Sequence, residues 1–536
     1  MDYDDIIADL DSFGKYQRRI FFFVSIPCLF TGFGAPATNF IIGDHKHRCR
    51  IPYYDNDTFA VQSDVHLAAI NRTIPRNSDG TYSSCTVLMN GTEQKCSEWV
   101  YDQSQFTRTV TSDFNLVCDS LHIRSHLKIT YLIGFLVASM FSQIGDVYGR
   151  RTLMLIIITA RAVTVFILPF SNSPAMFGTL RFFEGLTSLA SYQLSFVIVI
   201  ELVGPAERLL TANFSKVLYC LGEFLLILLA YVERDWVYLT LWLAIPSVAP
   251  ILFWIPGVIP ESPRWLTSRG RTEEATKILT KMAKVNKIKK NFDASKIKRQ
   301  DDRGIKVILG ELLHSKILMK RLLIVLANWF VAAYTYYGLT MNVGSLGGNL
   351  YENFSLLVLV ELLGYTVTYF LNKTGRKPVH LLAIFGCGAV SIGSILLILF
   401  AENTLYSVHI VLSLFSRFCI SALFAVLYVY TGELFPTVIR SIVMGTASIG
   451  ARVGALISPY LYGITDDKVG KMLPLITYAV LSITVGLCSL KLPETNKRKL
   501  METVGEIELK EVGKAEDVED LDEPSDRLPL QWNPSA

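Results

Sequence analysis

The chain repeats one charged motif in its two halves, and this duplication limits the folds that it can adopt. A Glu-Leu pair, five residues and an Arg run from Glu201 to Arg208, and again from Glu433 to Arg440. Two flanking signatures recur in the same order, so that the copies are offset by 226, 232 and 233 residues. These signatures are Gly149-Arg150-Arg151 with Gly375-Arg376-Lys377, and Pro260-Glu261-Ser262 with Pro493-Glu494-Thr495. Self-similarity at a nearly constant offset predicts a chain built from two similar halves.

Long apolar runs indicate what each half is made of. Hydrophobic residues form 51% of the chain, and its mean hydropathy is +0.37. They gather in runs of about 20 residues, the length that crosses a bilayer as a helix. Six runs fall in each half: 20–42, 126–145, 152–171, 176–200, 207–231 and 236–256, then 319–341, 350–371, 378–400, 404–430, 441–463 and 470–491. The sequence therefore predicts an all-α integral membrane protein with twelve transmembrane helices in two pseudo-symmetric six-helix halves.

Most charged residues lie between these runs, and they divide the chain into five segments. They are an acidic leader at 1–19, a first half at 20–256 with a long loop at 43–125, a basic loop at 257–318, a second half at 319–492 and an acidic tail at 493–536. Short loops rich in Lys and Arg stay on the cytoplasmic side of a membrane. This rule predicts that both termini are cytoplasmic and that loop 43–125 lies outside. Anchorage at the membrane surface explains the basic loop, so we expect no nucleic-acid partner.

The long loop has the composition of an extracellular segment. It contains an even set of cysteines, which an oxidising compartment allows to pair, although the sequence does not say which pairs form. It also contains three acceptor motifs for N-glycosylation. The disulfide candidates are Cys49, Cys85, Cys96 and Cys118, and the glycosylation candidates are Asn56, Asn71 and Asn90.

Short signatures at the ends of the apolar runs carry a family resemblance. The turn Gly145–Arg151 resembles the loop between helices two and three of the major facilitator superfamily. The heptapeptide Pro260–Leu266 is similar to a signature of the organic cation, anion and carnitine transporters, solute carrier family 22. Two further stretches look most like the carnitine and zwitterion branch of that family: Asp2-Tyr3-Asp4 and Arg234-Asp235-Trp236.

This resemblance implies a role for the repeated charges. In the family, charged clusters at the inner ends of the helices hold a cytoplasmic gate closed. The corresponding pairs here would be Asp146/Arg150, Glu201/Arg208 and Glu433/Arg440. In the second half Asn372 stands where an Asp is usual, which would weaken that latch.

Of the charged residues inside apolar runs, three stand out as the first candidates for a binding site: Glu223, Glu361 and Arg452. A charge at the centre of a membrane helix costs roughly 2.5–3.5 kcal/mol, so it tends to face a polar cavity and a partner. The resemblance implies that Arg452 holds a carboxylate, as its bidentate fork suits, and that Glu361 attracts an ammonium group. Alternatively, these two pair only with each other. Glu223 departs from the family: it would favour cations or proton coupling, or form a salt bridge to a neighbouring helix.

Aromatic residues near these charges suit a positively charged ligand, because Tyr and Trp faces attract quaternary ammonium groups. Helical spacing predicts that Tyr334 and Tyr337 share a face and that Tyr336 turns away from it. We expect Tyr337 to contact the ligand, with Tyr334 and Trp329 as further candidates.

Together these features predict a transporter. The sequence contains no metal-spaced His cluster, phosphate-binding Gly-Lys loop or nucleophile elbow, so we expect neither an enzyme nor a cofactor beyond a coupling ion, Na⁺ or H⁺. The expected protein is a monomer of the plasma membrane that moves small organic zwitterions or cations, carnitine-like molecules first, by alternating access. One alternative is an organic-anion exchanger of the same fold. Another is a receptor or scaffold that transports nothing.

Overall fold

The computed structural model describes residues 3–496 apart from 44, 78–79, 90, 140, 205–206, 291, 293, 295–309, 311, 342, 347, 372–373, 401–405 and 462–467. The side chains at 141–143, 146, 209, 212, 406–407, 437–438, 441 and 468–471 also lie outside the described part. The first-half helices are α1 Tyr3–Asp9, α2 Lys15–Ile41, α3 Asp64–Thr73, α4 Val110–Asp113, α5 Leu121–Ala138, α6 Phe141–Tyr148, α7 Arg150–Ile167, α8 Pro174–Leu202, α9 Arg208–Val232 and α10 Trp236–Val248. Next come α11 Pro263–Ser268, α12 Thr272–Val285, α13 Lys316–Met341, α14 Leu350–Leu371, α15 Arg376–Phe400, α16 Tyr406–Leu434, α17 Thr437–Leu461 and α18 Lys468–Ser489.

The long helices follow the predicted apolar runs. Among the described residues, eleven helices are long and apolar enough to cross a membrane. The helices α5 and α6 lie over the remaining predicted run, at 126–145. The prediction of an all-α membrane fold with two six-helix halves is therefore confirmed.

Each half places a glycine in a left-handed turn before its third long helix. Gly149 precedes α7 with a φ of 103°, and Gly375 precedes α15 with a φ of 153°. Side chains with a Cβ rarely adopt this conformation. The duplicated Gly-Arg signature thus marks the same sharp turn in each half.

Helices pack most closely where a glycine removes the side chain from the contact. A Cβ on Gly222 of α9 would meet the backbone oxygen of Leu29 on α2, and one on Gly454 of α17 would meet that of Phe330 on α13. Small residues let membrane helices approach closely. The first and fifth long helices of each half therefore form an intimate pair.

The two halves are joined on the side that carries loop 43–125, which we call the loop side. We call the opposite face, with α1, α11 and α12, the terminal side. Asn39 Nδ2 at the end of α2 donates to the Thr340 backbone oxygen at 2.7 Å. The Phe40 ring stacks on Tyr351 at 5.7 Å between centroids, and the Tyr351 hydroxyl donates to the backbone oxygen of Gln105 at 3.3 Å. These contacts close the loop side.

The long loop is a small folded unit. Its strands are β1 His47–Cys49, β2 Thr86–Met89, β3 Thr92–Lys95 and β4 Trp99–Tyr101; β1 pairs with β4 and β2 with β3, both antiparallel. The four cysteines form the disulfides Cys49–Cys96 and Cys85–Cys118. Asn56 and Asn71 are exposed, as a glycan requires, and Asn90 lies outside the described residues.

Candidate functional site

A cavity of about 110 Å³ lies between the two halves, and the intramembrane residues Lys216 and Arg452 line it. Helices α2, α5, α8 and α9 line it from the first half, and α13, α14, α16 and α17 line it from the second. Half of the lining residues are tyrosines: Tyr192, Tyr219, Tyr336, Tyr337, Tyr365 and Tyr428. A ligand here would touch aromatic faces from both halves.

A second cavity of about 90 Å³ continues from the first towards the terminal side. The two share Lys216, Tyr192, Tyr365 and Tyr428. The second also reaches Asn213, near the start of α9, where the chain is close to the terminal side. The space between the halves thus extends away from the closed loop side.

Arg452 of α17 lines the central cavity, where the sequence placed a carboxylate-binding group. Its guanidinium carbon lies 5.4 Å from the centre of the Phe135 ring, which belongs to the other half. Its buried Nε has no hydrogen-bond partner among the described residues. The guanidinium therefore has donor capacity left for a ligand.

Lys216 of α9 also faces the cavity and was missed by the sequence analysis. Its Nζ lies 5.0 Å from the Tyr365 ring centre and 5.5 Å from that of Tyr428. Within the described part of the chain it forms no salt bridge. Lys216 stands inside an apolar run, as Glu223 does, so the same rule would have found it.

Glu361 is fully buried and already satisfied, which corrects its predicted role. It forms an ion pair with Arg417 of α16, and both side chains are completely shielded from solvent. Its Oε1 accepts hydrogen bonds from the hydroxyls of Tyr336 at 3.0 Å and Tyr365 at 2.8 Å. Glu361 therefore offers no direct contact to an ammonium group, and it does not pair with Arg452. Instead it orients two tyrosines of the cavity wall.

Arg417, which the sequence analysis also missed, connects this pair to α13. It donates to the backbone oxygen of Tyr336 at 3.1 Å and to Thr340 Oγ1 at 2.6 Å. Its guanidinium carbon lies 3.7 Å from the Tyr336 ring centre. Arg417 thus holds both the carboxylate and the ring that Glu361 orients.

Glu223 is completely buried, and it is not among the residues that line the two central cavities. Neither of its carboxylate oxygens has a hydrogen-bond partner in the described part of the chain. The salt bridge to a neighbouring helix that was its alternative role is therefore not formed there.

The aromatic candidates divide between the cavity and its surroundings. Tyr337 lines the cavity as predicted, but Tyr336 lines it too, and Tyr334 does not. The Tyr334 hydroxyl is 2.6 Å from Thr477 Oγ1 on α18. Helix α13 lies between the cavity and α18. Tyr334 and Tyr337 point in different directions from this helix, Tyr334 towards α18 and Tyr337 towards the cavity. Trp329 is buried behind the wall, where its Nε1 donates to Thr431 Oγ1 at 3.1 Å.

The predicted gate charges pair differently from the expected order. Glu201 joins Arg150 at 3.0 Å rather than Arg208, whose Nη2 binds Asp4 at 2.7 Å. In the same way Glu433 joins Arg376 at 3.2 Å. In each half the Arg that follows the glycine turn therefore contacts the end of the fourth long helix of the same half, α8 or α16.

The remaining gate residues complete this correction. Arg440 keeps its Nε and Nη2 buried without a hydrogen-bond partner among the described residues. The side chain of Asp146 lies outside the described part of the structure. Both observed clasps, Arg150–Glu201 and Arg376–Glu433, lie within one half.

The Pro-Glu signatures anchor the same turns. Glu261 Oε1 accepts the backbone N–H of Arg151 at 3.0 Å. Glu494 accepts the N–H groups of Arg376 at 2.9 Å and Lys377 at 3.1 Å. Burial acts to raise the pKa of Glu494, but these and two further backbone N–H donors hold that pKa below its usual value.

Comparisons with known proteins agree with this architecture. A family model described as "Sugar (and other) transporter" matches residues 76–504. "Organic cation/carnitine transporter 2" of Homo sapiens is 29% identical over 94% of each chain. "Solute carrier family 22 member 21" of Mus musculus is 30% identical over 95% of this chain and 93% of its own length. The partially occluded, inward-open xylose transporter XylE of E. coli has a TM-score of 0.60 at 15% identity and covers 90% of this chain and 100% of its own.

Proposed function

The chain belongs to the sugar (and other) transporter family of the major facilitator superfamily and, within it, to solute carrier family 22; from this we propose that it transports small organic zwitterions and cations by alternating access. Members of this family are transporters, not enzymes. One of its relatives is named an organic cation/carnitine transporter, and this name supports the choice of substrate class.

The observation that carries the proposal is the combination of charges and aromatic faces in the central cavity. Arg452 and Lys216 present positive groups with free donor capacity, which suit a carboxylate. The tyrosine faces suit an ammonium group, each at about 0.5–2 kcal/mol. A carnitine-like zwitterion carries both groups, so it would use both parts of the wall. Tyr337 would pack on the ammonium, while Glu361 would act only through Tyr336 and Tyr365.

Transport would proceed by rocking of the two halves around this cavity. The contacts on the loop side and the cavity that runs towards the terminal side support a state that faces the terminal side. With cytoplasmic termini, as the basic loops favour, this is an inward-facing state. We place the protein in the plasma membrane as a monomer, with loop 43–125 outside.

The charges that line the cavity also suit a second function, the exchange of organic anions. Both charged groups that line the central cavity are positive, whereas both carboxylates nearby are buried behind its wall. An organic-anion exchanger would have the same arrangement. Substrate choice therefore decides between the two functions.

The test is uptake of labelled carnitine, tetraethylammonium and an aryl carboxylate into cells that express the protein at their surface. We expect carnitine and tetraethylammonium to enter. Arg452→Ala should reduce carnitine uptake at least tenfold, because a charged hydrogen bond contributes about 1.5–3 kcal/mol, and should affect tetraethylammonium least. Arg452→Lys keeps the charge without the fork and should fall between.

Tyr334→Phe, on the same helix but turned to α18, is the matched control and should leave all three rates unchanged. Entry of the aryl carboxylate alone would establish the anion exchanger instead. Equal loss of carnitine and tetraethylammonium uptake in Arg452→Ala would contradict the assignment of Arg452 to the carboxylate.

A further inference from the structure

A buried carboxylate lies beside the central cavity, and the proposed transport mechanism does not use it. Glu223 on α9 has 0% exposure and two oxygens without hydrogen-bond partners among the described residues. A carboxylate oxygen of Glu223, one of Glu361 and the Cys220 sulfur all lie within 4.8 Å of one another. Two acidic groups therefore share one enclosed space.

The charges in this space do not balance if both acids are ionised. Among the described residues, only Glu361 and Arg417 bring a charge close to Glu223. Arg417 is already committed to Glu361. The other titratable neighbours of the two acids are neutral, apart from Lys216 on α9: they are Tyr336 and Tyr337 on α13, Tyr365 on α14, and Cys220 and Tyr219 on α9 itself. Lys216 brings its positive charge near Glu361 and Cys220 rather than near Glu223. Helix α2 contributes Gly32 next to the backbone of Glu223.

An unpaired carboxylate in such a place is unstable. Burial of an isolated ion costs several kcal/mol, and a second negative charge nearby adds repulsion. One bound proton removes both terms. The cluster of Glu223, Glu361 and Arg417 is then neutral, and loss of that proton gives it one negative charge.

A proton fits this cluster better than a metal ion. Hard cations such as Mg²⁺ and Ca²⁺ take six or more oxygen ligands. Here the oxygens of Glu361 are occupied by Arg417 and two tyrosine hydroxyls. The Cys220 sulfur is a soft ligand that such ions do not prefer. The free capacity is two oxygens on a single carboxylate.

We propose that Glu223 is a proton-binding site and that its proton is exchanged for the positive charge of a substrate in the central cavity. The proposal deepens the transport function and rests on it, because it names the coupling ion. Tyr219 lies one turn before Glu223 on α9 and lines the cavity together with Tyr336, which donates a hydrogen bond to Glu361.

The exchange follows from the balance of charge between this cluster and a cation in the cavity. A cation packed on Tyr219, Tyr336 and Tyr337 is attracted by the ionised cluster and favours that form. The O–H bond of Glu223 then breaks, and the proton leaves for water in the cavity. When the cation departs, Glu223 takes up a proton again. The cation moves in while the proton moves out. A more acidic interior therefore drives cation uptake.

Transport of tetraethylammonium into proteoliposomes tests this exchange. The full-length protein is reconstituted, and the pH inside and outside is varied with and without Na⁺. We expect uptake to increase, by up to about tenfold per pH unit, when the interior is more acidic. Glu223→Gln has the same shape but cannot release a proton, so its uptake should not respond to the gradient. Glu223→Asp, which keeps a carboxyl group, should restore the response.

Proton release provides a direct second readout. Addition of tetraethylammonium to the purified wild-type protein in dilute buffer should release up to one proton per bound cation, whereas Glu223→Gln should release none. An equal release or an equal response to the gradient in Glu223→Gln would overturn the proposal. So would wild-type uptake that follows Na⁺ and ignores pH.

Infrared difference spectra keep the proposal testable even if Glu223→Gln does not fold. The carbonyl band of a protonated carboxyl group should disappear from the wild-type spectrum when tetraethylammonium binds, and Glu223→Asp should shift that band. A wild-type spectrum without the band would overturn the proposal. The proposed function fails separately, if the wild-type protein takes up none of the substrates at any pH.

Discussion

The two halves contain the same buried arginine clamp, and they use it differently. In the first half, Arg181 of α8 donates to the Gly34 backbone oxygen at 3.0 Å and to Thr38 Oγ1 at 2.7 Å, both on α2. In the second half, Arg417 of α16 donates to the Tyr336 backbone oxygen at 3.1 Å and to Thr340 Oγ1 at 2.6 Å, both on α13. The fourth long helix of each half thus holds the first.

The difference lies in the carboxylate that each arginine binds. Arg181 pairs at 2.7 Å with Glu184, one turn away on its own helix. Arg417 reaches across to Glu361 on α14, and that carboxylate holds two tyrosines of the cavity wall. The two halves therefore share one scaffold, but in the described part of the chain only the second half connects its arginine clamp to tyrosines of the central cavity.

Separating the two clamps from their carboxylates should give the largest effects. Arg181→Met and Arg417→Met each leave a buried carboxylate unpaired, so each should lower the free energy of unfolding by about 3–5 kcal/mol. The double variants Arg181→Met/Glu184→Met and Arg417→Met/Glu361→Met remove both charges and should recover most of that loss. Thermal unfolding of the purified proteins measures these changes.

Uptake by the two double variants should then differ. The first-half double variant should keep transport, whereas the second-half one should lose it, because Tyr336 and Tyr365 lose the acceptor that orients them. Equal loss of transport in both double variants would show that the first-half clamp is as closely connected to the cavity as the second.

The clasps on the terminal side should give a smaller effect. Arg150–Glu201 and Arg376–Glu433 are partly exposed pairs, for which about 1 kcal/mol or less is expected. Glu433 also accepts a hydrogen bond from Thr495 Oγ1 at 2.6 Å. Glu433→Gln should therefore lower the melting temperature more than Glu201→Gln.

Arg440→Gln provides the control for these two variants. Arg440 belongs to the duplicated motif but makes no hydrogen bond from Nε or Nη2 within the described structure. Arg440 lies near enough to Glu433 to interact with its charge, but without these hydrogen bonds its replacement should lower stability by less than Glu433→Gln does. A loss as large as that of Glu433→Gln would revive the predicted Glu433/Arg440 clasp.

The sequence could predict the fold because its strongest signals are local or repeated. The length of the apolar runs defines the helices, and the duplicated signatures fall at the same turns in both halves. Arg452 and Tyr337 were also identified correctly as cavity residues. The rule that found Arg452 applies equally to Lys216 and Arg417, so these two were available in the sequence but overlooked.

Other features of the site could not be predicted, because they depend on which helices face each other. Helical spacing says that Tyr334 and Tyr337 are near in angle, but not that α18 lies against one of them. It likewise cannot show that Glu361 faces Arg417 rather than Arg452. The pairing of Glu201 with Arg150 depends on the turn at Gly149, whereas the duplicated motif suggested Arg208.

The smallest effect should come from the two glutamates that anchor the glycine turns, and pH should reveal it. Glu494 has a pKa below its usual value, so its contribution to stability is present above the unfolded pKa, about 4.3, and is lost as pH falls through the lower folded pKa. Four backbone N–H groups bind Glu494, from Arg376, Lys377, Thr495 and Asn496. Only two described ones, from Arg151 and Ser262, bind Glu261. Glu494→Gln should thus lower the melting temperature at pH 7 and approach the wild type as the pH falls through the folded pKa of Glu494, whereas Glu261→Gln should show a smaller difference at pH 7. If Glu494→Gln stays equally far below the wild type as the pH falls, the carboxylate charge does not stabilise this turn.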